Sequence, residues 1–170
     1  MQKFYKSLIV SGLALGATVV GQSASANAVD SLRWQSVIGI IQGNNIVGTG
    51  GGAVTGAPGP WSTQGGHAEV DLRRGRVDFN VRGLVLAAGN SIGTPGAVLQ
   101  VKGTLVCDTD GSAAGTSVLV DTPLVDLDEE GNAHFDGTLA LPAVCSSEPD
   151  VAFLVRTASG RWLANGTVLR

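Results

Sequence analysis

The chain of 170 residues carries 11 basic and 14 acidic side chains, for a net charge of −3, and 44% of its residues are hydrophobic. This length suits one domain with a single core. The acidic balance, with no basic cluster beyond residues 73–76, argues against nucleic acid or an anionic membrane surface as a partner.

The first 26 residues have the features of a secretory signal peptide. Lys3 and Lys6 precede an apolar run over 8–20, and residues 24–26 form an Ala-x-Ala cleavage site. The apolar run is shorter than the roughly 20 residues of a membrane-spanning helix. We therefore predict cleavage after Ala26 and secretion of residues 27–170 as one all-β domain, to the extracellular space or a periplasm, without membrane insertion.

Helix candidates are few because the chain holds 25 glycines and 6 prolines. Residues 27–38 form one candidate. Residues 150–159 form another, but their apolar run over 151–155 is short and has β-branched ends, which favours a strand.

A glycine-rich connection follows over residues 43–66. Its segment from Gly48 to Ala53 matches the dinucleotide fingerprint G-x-G-x-x-A, yet the sequence after it has no helical pattern to receive a pyrophosphate, so we predict no cofactor. Trp61, within Pro-Gly-Pro-Trp-Ser, is a candidate contact for a ligand or partner, because an aromatic on a loop can stack on a sugar or anchor a protein. The alternative is that Trp61 covers the edge of the fold.

Two stretches with an apolar period of two predict β-hairpins. In the first, apolar residues at 68, 70 and 72 and at 77, 79 and 81 flank a turn that ends at Gly75. The second runs from Asp126 through a turn at Gly131 into an alternating segment that ends at Leu141. In each, a phenylalanine follows the turn glycine by four positions, Phe79 and Phe135.

Further strands are predicted over 34–42, 97–107, 116–127 with a break near Pro123, 151–156 and 161–169. Eight or nine short strands without helical crossovers predict an antiparallel β-sandwich, immunoglobulin-like or superoxide-dismutase-like, with a small β-barrel as the alternative.

Two cysteines, Cys107 and Cys145, remain after the signal. In an exported protein an even number of cysteines predicts a disulfide. A redox or metal role would need a C-x-x-C pair or nearby histidines, which the sequence lacks, so no metal site is predicted from them.

Ser91 stands in a G-x-S-x-G pattern between Gly89 and Gly93. A nucleophile elbow needs a helix after the serine, whereas Thr94-Pro-Gly and then a predicted strand follow here. A serine hydrolase using Ser91 with His134 or His67 is therefore an alternative, and the main prediction contains no catalytic residue.

Two acidic segments leave weak calcium binding open. Asp108 and Asp110 resemble the start of a calcium loop, but alanines stand where later oxygen ligands are needed. The acidic tip over 126–130 is the other candidate, and an exposed turn is the alternative for both.

The segment from Gly66 to Leu84 resembles the opening hairpin of chordin-type (CHRD) domains, which are secreted β-sandwiches similar in shape to copper/zinc superoxide dismutase. The likeness covers the hairpin and its V-x-G-L ending. The histidine-containing segment that usually follows in that family is absent, and 87–93 stands in its place. The resemblance therefore implies a fold but no metal chemistry, and the general pattern is typical of bacterial secreted proteins.

Together these features predict a secreted, non-catalytic binding or structural module whose partner is a protein or a glycan. The second alternative to this prediction, beside the hydrolase, is an inhibitor-like module that presents loop 43–66 to a protein. The sequence does not indicate the oligomeric state.

Overall fold

The computed structural model of the protein describes residues 30–147 and 150–169. The predicted signal peptide, residues 1–26, lies outside the described residues. The strands are β1 Ser31–Gly39, β2 Ile46–Val47, β3 Val54–Thr55, β4 Trp61–Ser62, β5 Gly65–Asp71, β6 Arg76–Arg82, β7 Val85–Leu86, β8 Gln100–Cys107, β9 Val118–Asp121, β10 Val125–Asp126, β11 Ala133–Thr138, β12 Ala152–Thr157 and β13 Trp162–Leu169. A helix, α1, covers Val144–Ser147, and a 3-10 turn covers Gly50–Gly52.

Nine strands form one antiparallel sheet in the order β10-β8-β12-β13-β1-β5-β6-β11, with β9 also paired to β8. The sheet curls so that its edge strands β10 and β11 come close to each other. Two small sheets, β2-β3 and β4-β7, complete the pairing. The predicted antiparallel all-β fold is confirmed.

The first predicted hairpin is confirmed as β5 and β6. Val70 pairs with Val77 and Ala68 pairs with Phe79, and these four side chains are fully buried. Gly75 closes the turn with a φ of 70°, a left-handed conformation that glycine adopts without strain. Because apolar and polar residues alternate, one face of the hairpin joins the core and the other faces outward.

The second predicted hairpin is wrong. A turn does form, since the amide of Gly131 donates to the Asp128 carbonyl at 3.0 Å. However, β10 pairs with β8 and β11 pairs with β6, so the two strands flanking the turn belong to opposite edges of the sheet. The predicted alternation in β11 is correct: Ala133 is buried and His134 exposed.

The helix candidate at 27–38 is also wrong over its described part. Residues 31–39 form β1, in which buried Leu32 and Trp34 alternate with exposed Arg33 and Gln35. This period of two buries one face of a strand, and a helix would scatter the same residues around its axis.

Strands β8 and β12 are buried on both faces over most of their length. In β12 four consecutive residues, 153–156, are buried, which explains the continuous apolar run that the sequence shows there. The predicted break near Pro123 is confirmed: β9 ends before Pro123, β10 begins after it, and each of the two strands pairs with β8. In the described part of the chain, α1 is far too short to cross a membrane.

The predicted disulfide is confirmed. Cys107 at the end of β8 is bonded to Cys145 of α1, with an S–S distance of 2.06 Å, and both residues are fully buried. The bond therefore ties the connection between β11 and β12 to β8, the second strand of the sheet.

Candidate functional site

Ser91 lies on an exposed turn and not at a strand-to-helix elbow. The turn follows β7 and is closed locally: the amide and hydroxyl of Thr94 donate to the Ser91 carbonyl at 3.2 and 2.9 Å. The next element is the strand β8, as the sequence predicted. No helix N-terminus is therefore placed behind the serine to stabilise an oxyanion.

The two histidines are held by other groups. Nε2 of His67 lies 3.0 Å from Oδ1 of Asp78, and Nδ1 of His134 donates to the Phe79 carbonyl at 3.0 Å. Within residues 30–147 and 150–169, no hydrogen bond joins either imidazole to Ser91. A nucleophilic serine needs its base within hydrogen-bonding reach, so the hydrolase alternative gains no support from this geometry.

Trp61 is 6% exposed, and its indole packs in the core. It pairs with Leu86 across β4 and β7, and its amide donates to the Ile40 carbonyl at 2.8 Å. The exposed aromatic on a loop that the sequence suggested is thus absent at this position. A contact between Trp61 and a partner requires that the partner enter a groove beside it.

Such a groove exists and has a volume of about 290 Å³. Its lining comes from four separate parts of the chain and is mostly apolar: Ala57, Pro58, Gly59, Trp61, Leu86, Pro95, Ala97, Val98, Thr157, Ser159, Arg161 and Leu163. We call it the Trp61 groove. Its polar residues, Thr157, Ser159 and Arg161, lie in the turn between β12 and β13 or at the end of β12.

Arg161 brings a positive charge to the Trp61 groove. Its Nη1 donates to the Gly56 carbonyl at 3.1 Å and to Oδ1 of Asn44 at 3.4 Å. Among described residues, neither Arg161 nor Arg82 has a carboxylate within 4.0 Å, whereas each of the other described arginines does. The Arg161 guanidinium therefore keeps donors available for an anionic group.

The glycine-rich connection 43–66 is tied to the fold at several points. The amide of Ala57 donates to the Trp162 carbonyl at 2.8 Å, and Nε1 of Trp162 donates to the Asn45 carbonyl at 3.0 Å. Near the fingerprint-like segment, the Thr49 amide donates to Oγ of Ser117 at 2.8 Å. The segment forms a three-residue 3-10 turn, with no longer helix behind it to bind a pyrophosphate.

The calcium candidates Asp108 and Asp110 come together with Asp150, which lies 40 residues further along the chain and was not predicted. One oxygen from each lies within 4.8 Å of the others, the spacing that a metal ion would need. Yet each carboxylate already accepts protein hydrogen bonds, for example from the Ala114 amide to Asp108 at 2.7 Å and from the Asp110 amide to Asp150 at 3.0 Å.

Asp108 is fully buried. Burial alone would raise its pKa, but the amides of Ala114 and Ala113 hold the pKa below the ordinary aspartate value. This carboxylate therefore organises the 108–114 loop as an anion, which accounts for its burial without a bound cation.

The acidic tip 126–130 is a turn stabilised from within. Asp128 accepts the Asn132 amide at 2.7 Å and the Asn132 side-chain nitrogen at 3.0 Å. The hydrogen bond from the Asn132 amide lowers the pKa of Asp128. Asp126 instead accepts a hydrogen bond from Nε2 of Gln100 at 2.9 Å. The carboxylates of Asp126 and Asp128 are thus hydrogen-bonded to different groups and do not share a ligand position.

Sequence reasoning missed a second, polar groove on the outward face of β1, β5 and β6. It has a volume of about 650 Å³ and is lined by Arg33, Gln35, Gly66, His67, Asn80 and Arg82. The alternation in β5 and β6 indicated that His67, Asn80 and Arg82 face outward, but it gave no direction for Arg33 and Gln35 of β1. Which of them adjoin one another depends on strand register between segments distant in sequence.

Comparisons with protein-family models, with curated proteins and with solved structures gave no match to this chain.

Proposed function

We propose that the protein is an exported, non-catalytic binding module that takes an apolar segment of a secreted partner protein in the Trp61 groove. The observation that carries this proposal is the apolar lining of that groove around Trp61. At about 290 Å³ the groove lies at the lower end of the range for ligand pockets and suits one or two side chains of a protein segment.

A protein segment fits this lining better than a glycan does. Sugar hydroxyls need hydrogen-bonding partners, and the lining offers few outside Thr157, Ser159 and Arg161. The indole of Trp61 is also too deeply buried to act as a flat stacking surface. An apolar side chain in the groove would bury area without leaving polar groups unpaired.

Arg161 adds a charge preference. Its guanidinium borders the groove and has no carboxylate partner among the described residues. A partner that places a carboxylate next to its apolar anchor would form a charge-assisted hydrogen bond there. We therefore expect a partner motif of one or two large apolar residues beside an acidic residue.

Export is part of this proposal. It is supported by the signal-like residues 1–26 and by the buried disulfide, because such bonds persist in oxidising compartments. N-terminal sequencing of the protein from a culture medium or periplasm should give Asn27 as the first residue. The resemblance to chordin-type domains stays a prediction, and the proposed activity does not depend on it.

Selection of peptides from a display library tests the proposal. We expect enriched peptides with an apolar residue next to an acidic one, bound by the intact, disulfide-bonded protein. Ala97→Glu should abolish binding, because it puts a bulky negative charge on an exposed position of the lining. Arg161→Gln should weaken it about tenfold, the loss of one charge-assisted hydrogen bond of about 1.4 kcal/mol.

The matched control variant changes a residue outside the Trp61 groove. Ala140→Glu makes the same change at an exposed position outside the lining and should leave peptide binding unchanged. Trp61→Ala is not used, because it removes a core side chain and would destabilise the fold. Enriched peptides that bind Ala97→Glu as tightly as the native protein would refute the proposal.

The inhibitor-like module remains a second candidate because loop 43–66 presents Ile46, which is 64% exposed. If this loop is the contact, Ile46→Ser should abolish peptide binding while Ala97→Glu retains it. The same peptides and variants therefore separate the two functions.

A further inference from the structure

The polar groove on the outer face is built by the strand register. Arg82 of β6 pairs with Gly65 of β5. Two residues further along each strand, Asn80 pairs with His67 on the same outward face of the sheet. Gln35 and Arg33 of β1 complete the lining on the other side of β5. We call this the Arg82 groove; it shares no lining residue with the Trp61 groove.

The positive charge of Arg82 is not paired with a carboxylate of any described residue. Its guanidinium lies over Gly65, with Nη2 about 3.5 Å from where a side chain on Gly65 would begin. Because that position is a glycine, no side chain at residue 65 covers this part of the guanidinium. Arg82 is exposed and has no carboxylate within 4.0 Å among the described residues.

Arg33 is held only loosely by its neighbour. Its Nη1 is 4.0 Å from Oε2 of Glu69, and the Arg33 side chain is 62% exposed. Exposed pairs of this kind contribute little, so the guanidinium is free to turn to a ligand. Arg33 and Arg82 thus lie on opposite sides of the His67–Asn80 pair, and each offers one planar donor group that suits an oxyanion.

The rest of the lining offers hydrogen bonds and no apolar anchor. Gln35 and Asn80 contribute amides that both donate and accept, as hydroxyl groups require. The imidazole of His67 is oriented by its 3.0 Å contact with Asp78. A protein segment would find no apolar side chain here to pack against, since five of the six lining residues are polar or charged and the sixth is Gly66.

Acidic residues limit how much negative charge this face accepts. Glu69, Asp71 and Asp78 line the adjacent groove with Arg76. These carboxylates repel an anion that extends beyond the Arg82 groove. The arrangement favours isolated carboxylates over a dense polyanion.

From these features we propose that the Arg82 groove binds an acidic saccharide, with uronic acid carboxylates at Arg82 and at Arg33 and ring hydroxyls on Gln35 and Asn80, which lie between the two arginines. This site is separate from the Trp61 groove, so either proposal can fail without the other.

Calorimetric titration of the disulfide-bonded protein with three hexasaccharides tests this. A hyaluronan hexasaccharide, in which each uronate alternates with a neutral sugar, should bind. A chitin hexasaccharide, which is neutral, should bind at least tenfold more weakly, and a heparin hexasaccharide should bind more weakly than hyaluronan. Arg82→Gln should weaken hyaluronan binding at least tenfold, and Arg33→Gln should also weaken it.

Arg74→Gln is the matched control, since Arg74 is an exposed arginine on the turn at the far end of the β5-β6 hairpin. It should leave hyaluronan binding unchanged, as should Ala97→Glu in the other groove. Circular dichroism and thermal melting establish that each variant is folded.

Four results would overturn the proposal. They are no hyaluronan binding, equal binding by native protein and Arg82→Gln, tighter binding of heparin than of hyaluronan, and binding of sodium sulfate or an oligoglutamate peptide as tight as that of hyaluronan. The last would indicate a general anion site without saccharide recognition.

Discussion

Asp121 holds together a partly buried charge network at one end of β9. Its Oδ1 accepts hydrogen bonds from Oγ1 of Thr104 at 2.6 Å and from Nη1 of Arg156 at 3.1 Å, and Lys102 binds its Oδ2. Arg156 is 8% exposed. The sequence did not reveal this network, because its members lie on three strands whose register was unknown.

Asp121→Asn should destabilise the protein, because it leaves the Arg156 guanidinium buried without its counter-charge. We expect a loss of about 1–3 kcal/mol in the free energy of unfolding, less than for a fully buried pair because Asp121 is partly exposed. Urea denaturation at pH 6 measures this. A loss of less than a few tenths of a kcal/mol would show that the network contributes little.

The same variant should change the pH dependence of stability. Burial raises the pKa of Asp121, but hydrogen bonds from Lys102 and Thr104 and the charge of Arg156 outweigh it and lower the pKa below the ordinary value. The contribution of Asp121 is therefore complete above about pH 4 and is lost as the pH falls through the folded-state pKa. The stability difference between native protein and Asp121→Asn should shrink between pH 6 and pH 3, and a constant difference would contradict this.

Ser91 should be unreactive toward a fluorophosphonate probe under native conditions. Both histidines are hydrogen-bonded to groups of β6, and the Ser91 turn has no helix behind it. Intact-mass spectrometry after incubation measures labelling, with a known serine hydrolase as positive control. Stoichiometric labelling that Ser91→Ala removes would revive the hydrolase alternative.

At the scale of strands and turns, sequence periodicity was reliable wherever the pairing was local. The β5-β6 hairpin was predicted because its turn and both partners lie within one short segment. The second hairpin failed although its turn is real. Alternation shows which side chains face inward but does not name the strand that lies alongside, and β11 pairs with β6.

The inner face of the sheet leaves little space where β8 passes β6 and β12. A side chain on Gly103 would begin 2.8 Å from Cδ1 of Phe79 and 3.0 Å from Cε2 of Phe153. These rings lie 5.5 Å apart and are almost fully buried. Glycine at this position therefore allows the two aromatic side chains to pack against the strand.

Gly103→Ala should lower the free energy of unfolding by about 1–3 kcal/mol, because the rings must shift within a close-packed core. Gly59→Ala is the control: among the described residues, no atom beyond residues 58–60 lies within 4 Å of its added methyl group, so stability should stay the same or rise slightly. Urea midpoints of the two variants measure this, and equal midpoints would indicate a looser core than described.

At the scale of the molecule, the fold explains why neither groove was visible in the sequence. The Trp61 groove joins residues from four parts of the chain, brought together by the β4-β7 pair and the β12-β13 turn. Trp61 was predicted as a ligand or partner contact from its loop-like surroundings, but in the structure it is a buried residue that lines one side of the groove. Fold class and the cysteine pair depend on composition and spacing, and these could be predicted.

The disulfide should contribute substantially to global stability. It closes a loop with a sequence separation of 38 residues, for which the chain-entropy model gives about 4 kcal/mol. The double variant Cys107→Ser, Cys145→Ser should therefore unfold at a much lower urea concentration than the native protein. A midpoint unchanged by this double substitution would mean that the curled sheet is stable without the bond.

The most direct test of the proposed peptide binding is an amide chemical-shift titration of the isotope-labelled protein with a peptide selected by display. We expect the amides of Ala97, Val98 and Leu163, which line the Trp61 groove, to shift on binding, while that of Asp78 on the outer face does not. Shifts confined to residues outside the Trp61 groove would contradict this expectation.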